Sequence, residues 1–273
     1  MLEKLDNRWV YALLIVVTVV PTLWPVPLPI RITPHHQTIY EFVESLEPKD
    51  VVVISAEYTA GSIGDAEPPL VAMTKHAIQK DLRVVFVALS PDGLVAAEKM
   101  VDLCLVAGKV YGEDVVGLGY AAGGEQAIAS MVGSFAQTFP LDARGNPIES
   151  LPLMSEVKSP KDVKIVLQDT DGDLGPLGWI RQLGIPHKTP IATVVSPIMA
   201  PAAMPYYQAG QVIGVGSGLR FAAEYESLIN APGRGTAGMT AQSFSHAYFI
   251  LLVILGNIGY FTSKKAPAKG GSN

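Results

Sequence analysis

From Trp9 to Ile30 the chain reads WVYALLIVVTVVPTLWPVPLPI and carries no charged residue. About twenty apolar residues in a helix cross the roughly 30 Å hydrocarbon core of a bilayer. Whatever the rest becomes, it grows from an element that belongs in lipid. Trp9 to Val20 is rich in Val, Leu and Ile, after which Pro21, Pro25, Pro27 and Pro29 remove backbone donors and end regular helix. Trp9, Tyr11 and Trp24 stand near the two edges, where amphipathic rings favour the interface. The alternatives are a signal peptide and a buried core helix. The run is long for the former and no small-residue cleavage site follows it, so residues 1–30 read as an uncleaved anchor.

A second apolar stretch, HAYFILLVILGNIGYF (His246 to Phe261), lies near the other end. Extended back to Ala241 it is just long enough to cross, which assigns 241–262 to a second span and 263–273 to a basic tail. Asn257, with Gly256 and Gly259 beside it, suits either a helix–helix contact in lipid or a position near the interface. Lys4 and Arg8 precede the first span, and Lys264, Lys265 and Lys269 follow the second, whereas the inner flanks hold only Arg31 and Arg234. The positive-inside rule then predicts cytoplasmic termini and an exported central region.

These ends explain a composition of 49% hydrophobic and only 16% charged residues, against about 25% charged in ordinary soluble domains. The net charge of −5 and the lack of any basic run argue against nucleic acid as a partner. Cys104, the single cysteine, falls in an apolar stretch that reads as a buried helix face and has no internal disulfide partner.

Residues 31–240 read as one α/β domain. Val51–Tyr58, Leu82–Ser90, Asp114–Tyr120, Val163–Gln168, Ile191–Ser196 and Gln211–Gly216 are strand-like runs separated by helical patterns. A helix is expected from Pro68, suited to a first turn, and LDARGNPIESLPLM reads as a polar surface excursion. Such alternation predicts a Rossmann-like parallel sheet with helices on both faces. A crotonase- or ClpP-like α/β fold of ββα units is the second choice.

Ligands in open parallel sheets sit at the carboxyl ends of strands. After the third strand, Gly117, Gly119 and Gly123 have the spacing of a phosphate-binding turn or of a tightly packed strand-to-helix turn. Gly214, Gly216 and Gly218, followed by Arg220, invite the same two readings. Beyond them Glu224 and Glu226 face a ligand, a partner subunit or simply solvent, the last being preferred. Ala60-Gly61-Ser62-Ile63-Gly64 is a variant of the nucleophile elbow, and Asp169 and His187 complete a Ser–acid–His order. Asp169, Asp171 and Asp173 resemble the start of a calcium loop, but Leu174 and Ile180 stand where an EF-hand needs Gly and Glu. A looser Ca²⁺ site or a capped turn remains. His35-His36 reads as an interfacial or loop feature.

The segments ISAEY…EP, V-x-L-G-Y-x-x-G-E, GQVIGVGSGLRFAAEYE and ILGNIGY resemble a prokaryotic two-span membrane-protein family defined only as a domain of unknown function. That resemblance implies an architecture without a substrate, cofactor or catalytic residue. A weaker likeness is to membrane-anchored serine peptidases of the signal-peptide-peptidase group, which also set an α/β domain beside a span. Three functions follow as expectations. The first is a non-enzymatic membrane-anchored domain, homo-oligomeric, that binds a small ligand or assembles other proteins. The second is a hydrolase acting through Ser62, and the third a nucleotide-binding protein.

Overall fold

The computed structural model describes residues 6–24, 29–172 and 175–264. They form two compact units, one of Met1–Pro29 with Thr236–Asn273 and one of Ile30–Gly235. In chain order the elements are α1 (Asn7–Leu23), α2 (Pro34–Glu44), β1 (Val51–Glu57), α3 (Ile63–Gln79), β2 (Arg83–Ala88), α4 (Pro91–Val106) and β3 (Val115–Tyr120). There follow α5 (Glu125–Gly133), α6 (Phe135–Thr138), α7 (Pro152–Glu156), β4 (Ile165–Thr170), α8 (Leu177–Trp179) and α9 (Ile185–His187). The chain ends with β5 (Ile191–Val195), α10 (Ala200–Gln208), β6 (Gly214–Ser217), α11 (Gly218–Leu228) and α12 (Arg234–Lys264).

In the Ile30–Gly235 unit the six strands make one sheet in the order β3-β2-β1-β4-β5-β6, every pair parallel. β-Branched runs such as VVVIS build it because both faces are covered, and all but the last residue of β1 is buried. Alternation sends Val52, Ile54, Ile165 and Leu167 into a core with α2, α3, α4 and α11. Val53, Val85 and Val166 enter a second core with α5, α6, α7, Trp179 and α10. A helix separates each strand from the next along the chain, so the ββα alternative does not hold.

Three local expectations are corrected. β4 runs through Thr170, which makes Asp169 a strand residue rather than part of a loop. α3 begins at Ile63, so Pro68 and Pro69 lie one turn inside it, where their rings pack in the core at the cost of two helical donors. The 141–154 segment runs mostly along the surface but is not wholly polar. It buries Ile148, Leu153 and Met154, and its Ala143 N–H bonds the Gly117 carbonyl on the outer strand β3 at 2.9 Å.

In the other unit the Tyr248 hydroxyl donates to the Val10 carbonyl at 2.9 Å, and the Thr18 and Ser245 hydroxyls meet at 3.0 Å. α1 continues two residues past Pro21, further than expected. Among the described helices, α12 alone is long and apolar enough to cross a membrane, over Arg234–Phe261. α1, at 17 residues, is shorter. Asn257 is exposed and donates to the Val253 carbonyl of its own helix at 2.8 Å.

Candidate functional site

The strand order reverses between β1 and β4: from β1 the chain crosses to β2 on one side, and from β4 to β5 on the other. Sheets of this kind open a crevice at such a switch point, outside the carboxyl ends of the strands. Here Ala56 pairs with Asp169 and Glu57 with Thr170. Glu57 projects toward the α8 side, whereas Tyr58, Asp169 and Asp171 follow the alternation toward α3.

Glu57 is held by protein donors. Trp179 Nε1 (2.7 Å) and Ser55 Oγ (2.6 Å) donate to Oε1, and Gln168 Nε2 (2.7 Å) donates to Oε2. Gln168 is oriented in turn, its amide donating to the Gly175 carbonyl at 2.9 Å and its oxygen accepting from Thr193 Oγ1 at 2.9 Å. Loss of water pushes the Glu57 pKa above the usual carboxylate value, although these donors favour the ionised form. The result is a rigid, partly exposed carboxyl at the sheet edge.

Asp169 is different. It is 1% exposed, and its Oδ2 has no hydrogen-bond partner. Burial, then the charges of Glu57 and Asp171, raise its pKa well above normal. Tyr58, also 1% exposed, has an unpartnered hydroxyl, and its ionisation is opposed by burial, Asp169 and Glu67. Asp171 is the satisfied member. Its Oδ2 accepts from Thr59 N–H (3.0 Å), Thr59 Oγ1 (2.8 Å) and Ser62 Oγ (2.5 Å), which more than offset partial burial and lower its pKa.

Ser62 and Asp169 therefore both lie at the carboxyl edge, but His187 does not join them. His187 precedes β5 while Ser62 follows β1, so parallel strands put them at opposite edges, roughly 17 Å or more apart at 3.3 Å per residue. The Ser62 hydroxyl donates to the Asp171 carboxylate, not to a histidine. Asp173 lies outside the described residues. Among those described, no three His, Cys, Asp or Glu side chains are arranged to share a metal ion.

The glycines serve packing. Gly117 and Gly119 lie inside β3, and a Cβ on Gly117 would fall 2.2 Å from Glu98 Oε1 of α4. Gly123, at φ +113°, makes the turn into α5, whose first residue Glu125 puts a carboxylate where an anion would sit. A Cβ on Gly214 would come within 2.5 Å of the His35 carbonyl, and one on Gly216 within 2.7 Å of the Phe221 ring. Gly218, at φ +45°, turns β6 into α11.

Glu224 and Glu226 are not a solvated face: both are buried. Glu224 accepts from Thr33 N–H (2.7 Å), Thr33 Oγ1 (2.9 Å), Arg220 Nε (2.8 Å) and His36 Nδ1 (2.7 Å), so its carboxylate caps α2. Burial alone would raise its pKa; the hydrogen bonds from His36, Thr33 and Arg220 hold it down at about 2. Glu226 accepts from the Gly233 and Gly235 N–H groups (2.8 and 2.9 Å) at the start of α12. His36 is thus a buried partner of Glu224 in the first turn of α2, not a loop feature.

The residues that sequence reasoning passes over are Glu57, Tyr58, Gln168, Trp179 and Thr193. The one signal was position, since Glu57-Tyr58 ends the first strand. No protein-family model matches the chain, and no curated protein matches it.

Proposed function

We propose that this protein is a membrane-anchored domain that binds a small ligand at the carboxyl ends of β1 and β4. The observation that carries the reading is the gathering of Glu57, Asp169 and Asp171 at the switch point, with Asp169 Oδ2 and Tyr58 Oη both buried and without partners. The nucleotide alternative loses support at the same place. The β1–α3 turn, where a phosphate would seek backbone amides, already gives its Thr59 N–H to Asp171 and its Ala60 N–H to Asp92. A hydrolase with the Ser62–Asp169–His187 order lacks its histidine at this edge, since His187 lies before β5.

The anchoring half of the proposal has α1 and α12 both in lipid, both termini cytoplasmic and residues 31–240 exported. It is supported by the side chains of Trp9, Ile15, Leu23, Ile250, Val253 and Phe261, each more than half exposed and costly in water. In this reading the chain assembles as a homo-oligomer through the bilayer, and it belongs with the two-span prokaryotic proteins that its motifs resemble. Fractionation of cells expressing the full chain tests the first half: it stays in the pellet after an alkaline carbonate wash, and protease added to spheroplasts cleaves within 31–240. Recovery in the supernatant without detergent refutes the anchor. A thermal-shift screen of the detergent-solubilised chain against metabolites tests the second half, since a true ligand loses its effect in Glu57→Gln.

A further inference from the structure

Four acidic side chains gather at one edge of the sheet in the Ile30–Gly235 unit. Glu57, Asp92, Asp169 and Asp171 stand at the carboxyl edge of β1, β2 and β4, and among the described residues none of the four forms an ion pair. Several other carboxylates are paired: Asp81 meets Lys49 and Lys109, Glu98 meets Arg144 through Oε2, and Glu67 meets Lys99 and Arg234. An acidic edge alone is only a solvated edge. Here it adjoins the phenol of Tyr58 and the inner oxygen of Asp169, both buried and unpartnered on the α3 side of the sheet. Buried polar groups are ordinarily hydrogen-bonded, and each exception calls for an explanation.

The chemistry of that partner can be narrowed. An anion is disfavoured by charge and by amides already bonded to Asp171 and Asp92. A single metal ion gains no support, since among the described residues no three ligating side chains converge and Glu57 and Asp169 lie on opposite faces of the edge. A cation whose charges are spread along a chain can meet acids on both faces, and an ammonium brings donors to the Asp169 oxygen that lacks one. Building on the ligand-binding reading above, we infer that this edge binds a small organic cation carrying two or more ammonium groups, received by Asp169 and Glu57 with the Tyr58 hydroxyl beside them.

A proton accompanies the step. Asp169 is the acid with no donor to its inner oxygen, and burial together with two like charges as neighbours favours its protonated form. Binding an ammonium ionises it: the carboxyl O–H breaks, the proton leaves to buffer, and the carboxylate accepts an N–H.

Isothermal titration calorimetry of spermidine and putrescine into the full-length chain in detergent tests this, with Asp169→Asn, Glu57→Gln and the opposite-edge control Glu113→Gln. Spermidine binding is expected to weaken at least tenfold in D169N and E57Q and to be unchanged in E113Q. Its affinity should tighten with rising pH, by up to tenfold per unit, and lose that dependence in D169N. D169N keeps the test sound if E57Q, whose site is knitted into the sheet, does not fold. Equal binding to wild type and D169N overturns the inference as adventitious surface charge. If CaCl2, MgCl2, glucose or ATP binds wild type but not D169N while the amines do not bind, the amine assignment falls and the site stands. If none of them binds, both fall.

Discussion

Replacing Glu224 by Gln tests how the Ile30–Gly235 unit is tied at its start. The carboxylate is fully buried, with Thr33, Arg220 and His36 all directed at its two oxygens. Gln keeps the volume but turns one acceptor into a donor, which must face another donor. The magnitude follows from the titration. A pKa held at about 2 against an ordinary 4.5 is a difference of about 2.5 units, or about 3 kcal/mol at 1.36 kcal/mol per unit. Because the folded value is depressed, that stability is fully present above pH 4.5 and drains away as pH falls toward 2, roughly half or more being gone by pH 3. Thermal unfolding of the full chain in detergent should show E224Q about 6–12 °C below wild type at pH 7, using 2–4 °C per kcal/mol for a domain of this size. The gap should close markedly at pH 3. A difference below about 1 kcal/mol at pH 7, or one of the same size at both pH values, would refute the reasoning.

Gly214→Ala should destabilise by about 1–3 kcal/mol in denaturant unfolding, because its methyl would lie 2.4 Å from Ile39 Cγ1 and 2.5 Å from the His35 carbonyl, forcing α2 off the sheet. His76 is buried between Glu44 Oε2 (3.0 Å) and the Tyr225 hydroxyl (2.8 Å), with Tyr40 stacked on its ring, and burial lowers its pKa from 6.5. Its neutral form is the one folded, so it opposes folding increasingly as pH drops below 6.5. His76→Gln should flatten the melting temperature between pH 7 and 5, and an unaltered slope would count against the assignment. Asp169→Asn works in the opposite direction. A raised acid pKa withdraws stability as pH climbs from the ordinary aspartate value toward the raised one, so D169N should melt above wild type at pH 8 and alongside it at pH 4.

Much of the fold was legible because it is written in local pattern. VVVIS, RVVFVA and IATVV can hardly be anything but buried strands, and the helical spacing between them leaves a parallel sheet as the consistent arrangement. What local pattern misses is register and direction. The Ser62–Asp169–His187 order looked like a catalytic set in one dimension, but a residue before a strand and a residue after one lie at opposite edges of a parallel sheet. The glycines failed for a related reason. Gly117 and Gly214 satisfy the spacing of a phosphate turn, yet each is small because a helix presses on its strand, through Glu98 in one case and His35 in the other.

Carboxylates were the hardest to read, since nothing in AEYESL separates a solvated glutamate from a buried one. The distinction lies in who supplies the donors. Glu224 and Asp171 obtain theirs from Thr33 and from Thr59 and Ser62, all remote in sequence, and Glu226 from Gly233 and Gly235 just beyond its own helix, so that each ties one segment of the unit to another. Those groups are consumed by folding. Asp169 is buried as deeply, yet its inner oxygen is given nothing. The chain supplies donors to three buried or half-buried acids and, at the edge where its sheet reverses direction, leaves the Asp169 oxygen without one, and it is on this contrast that the proposed ligand site rests.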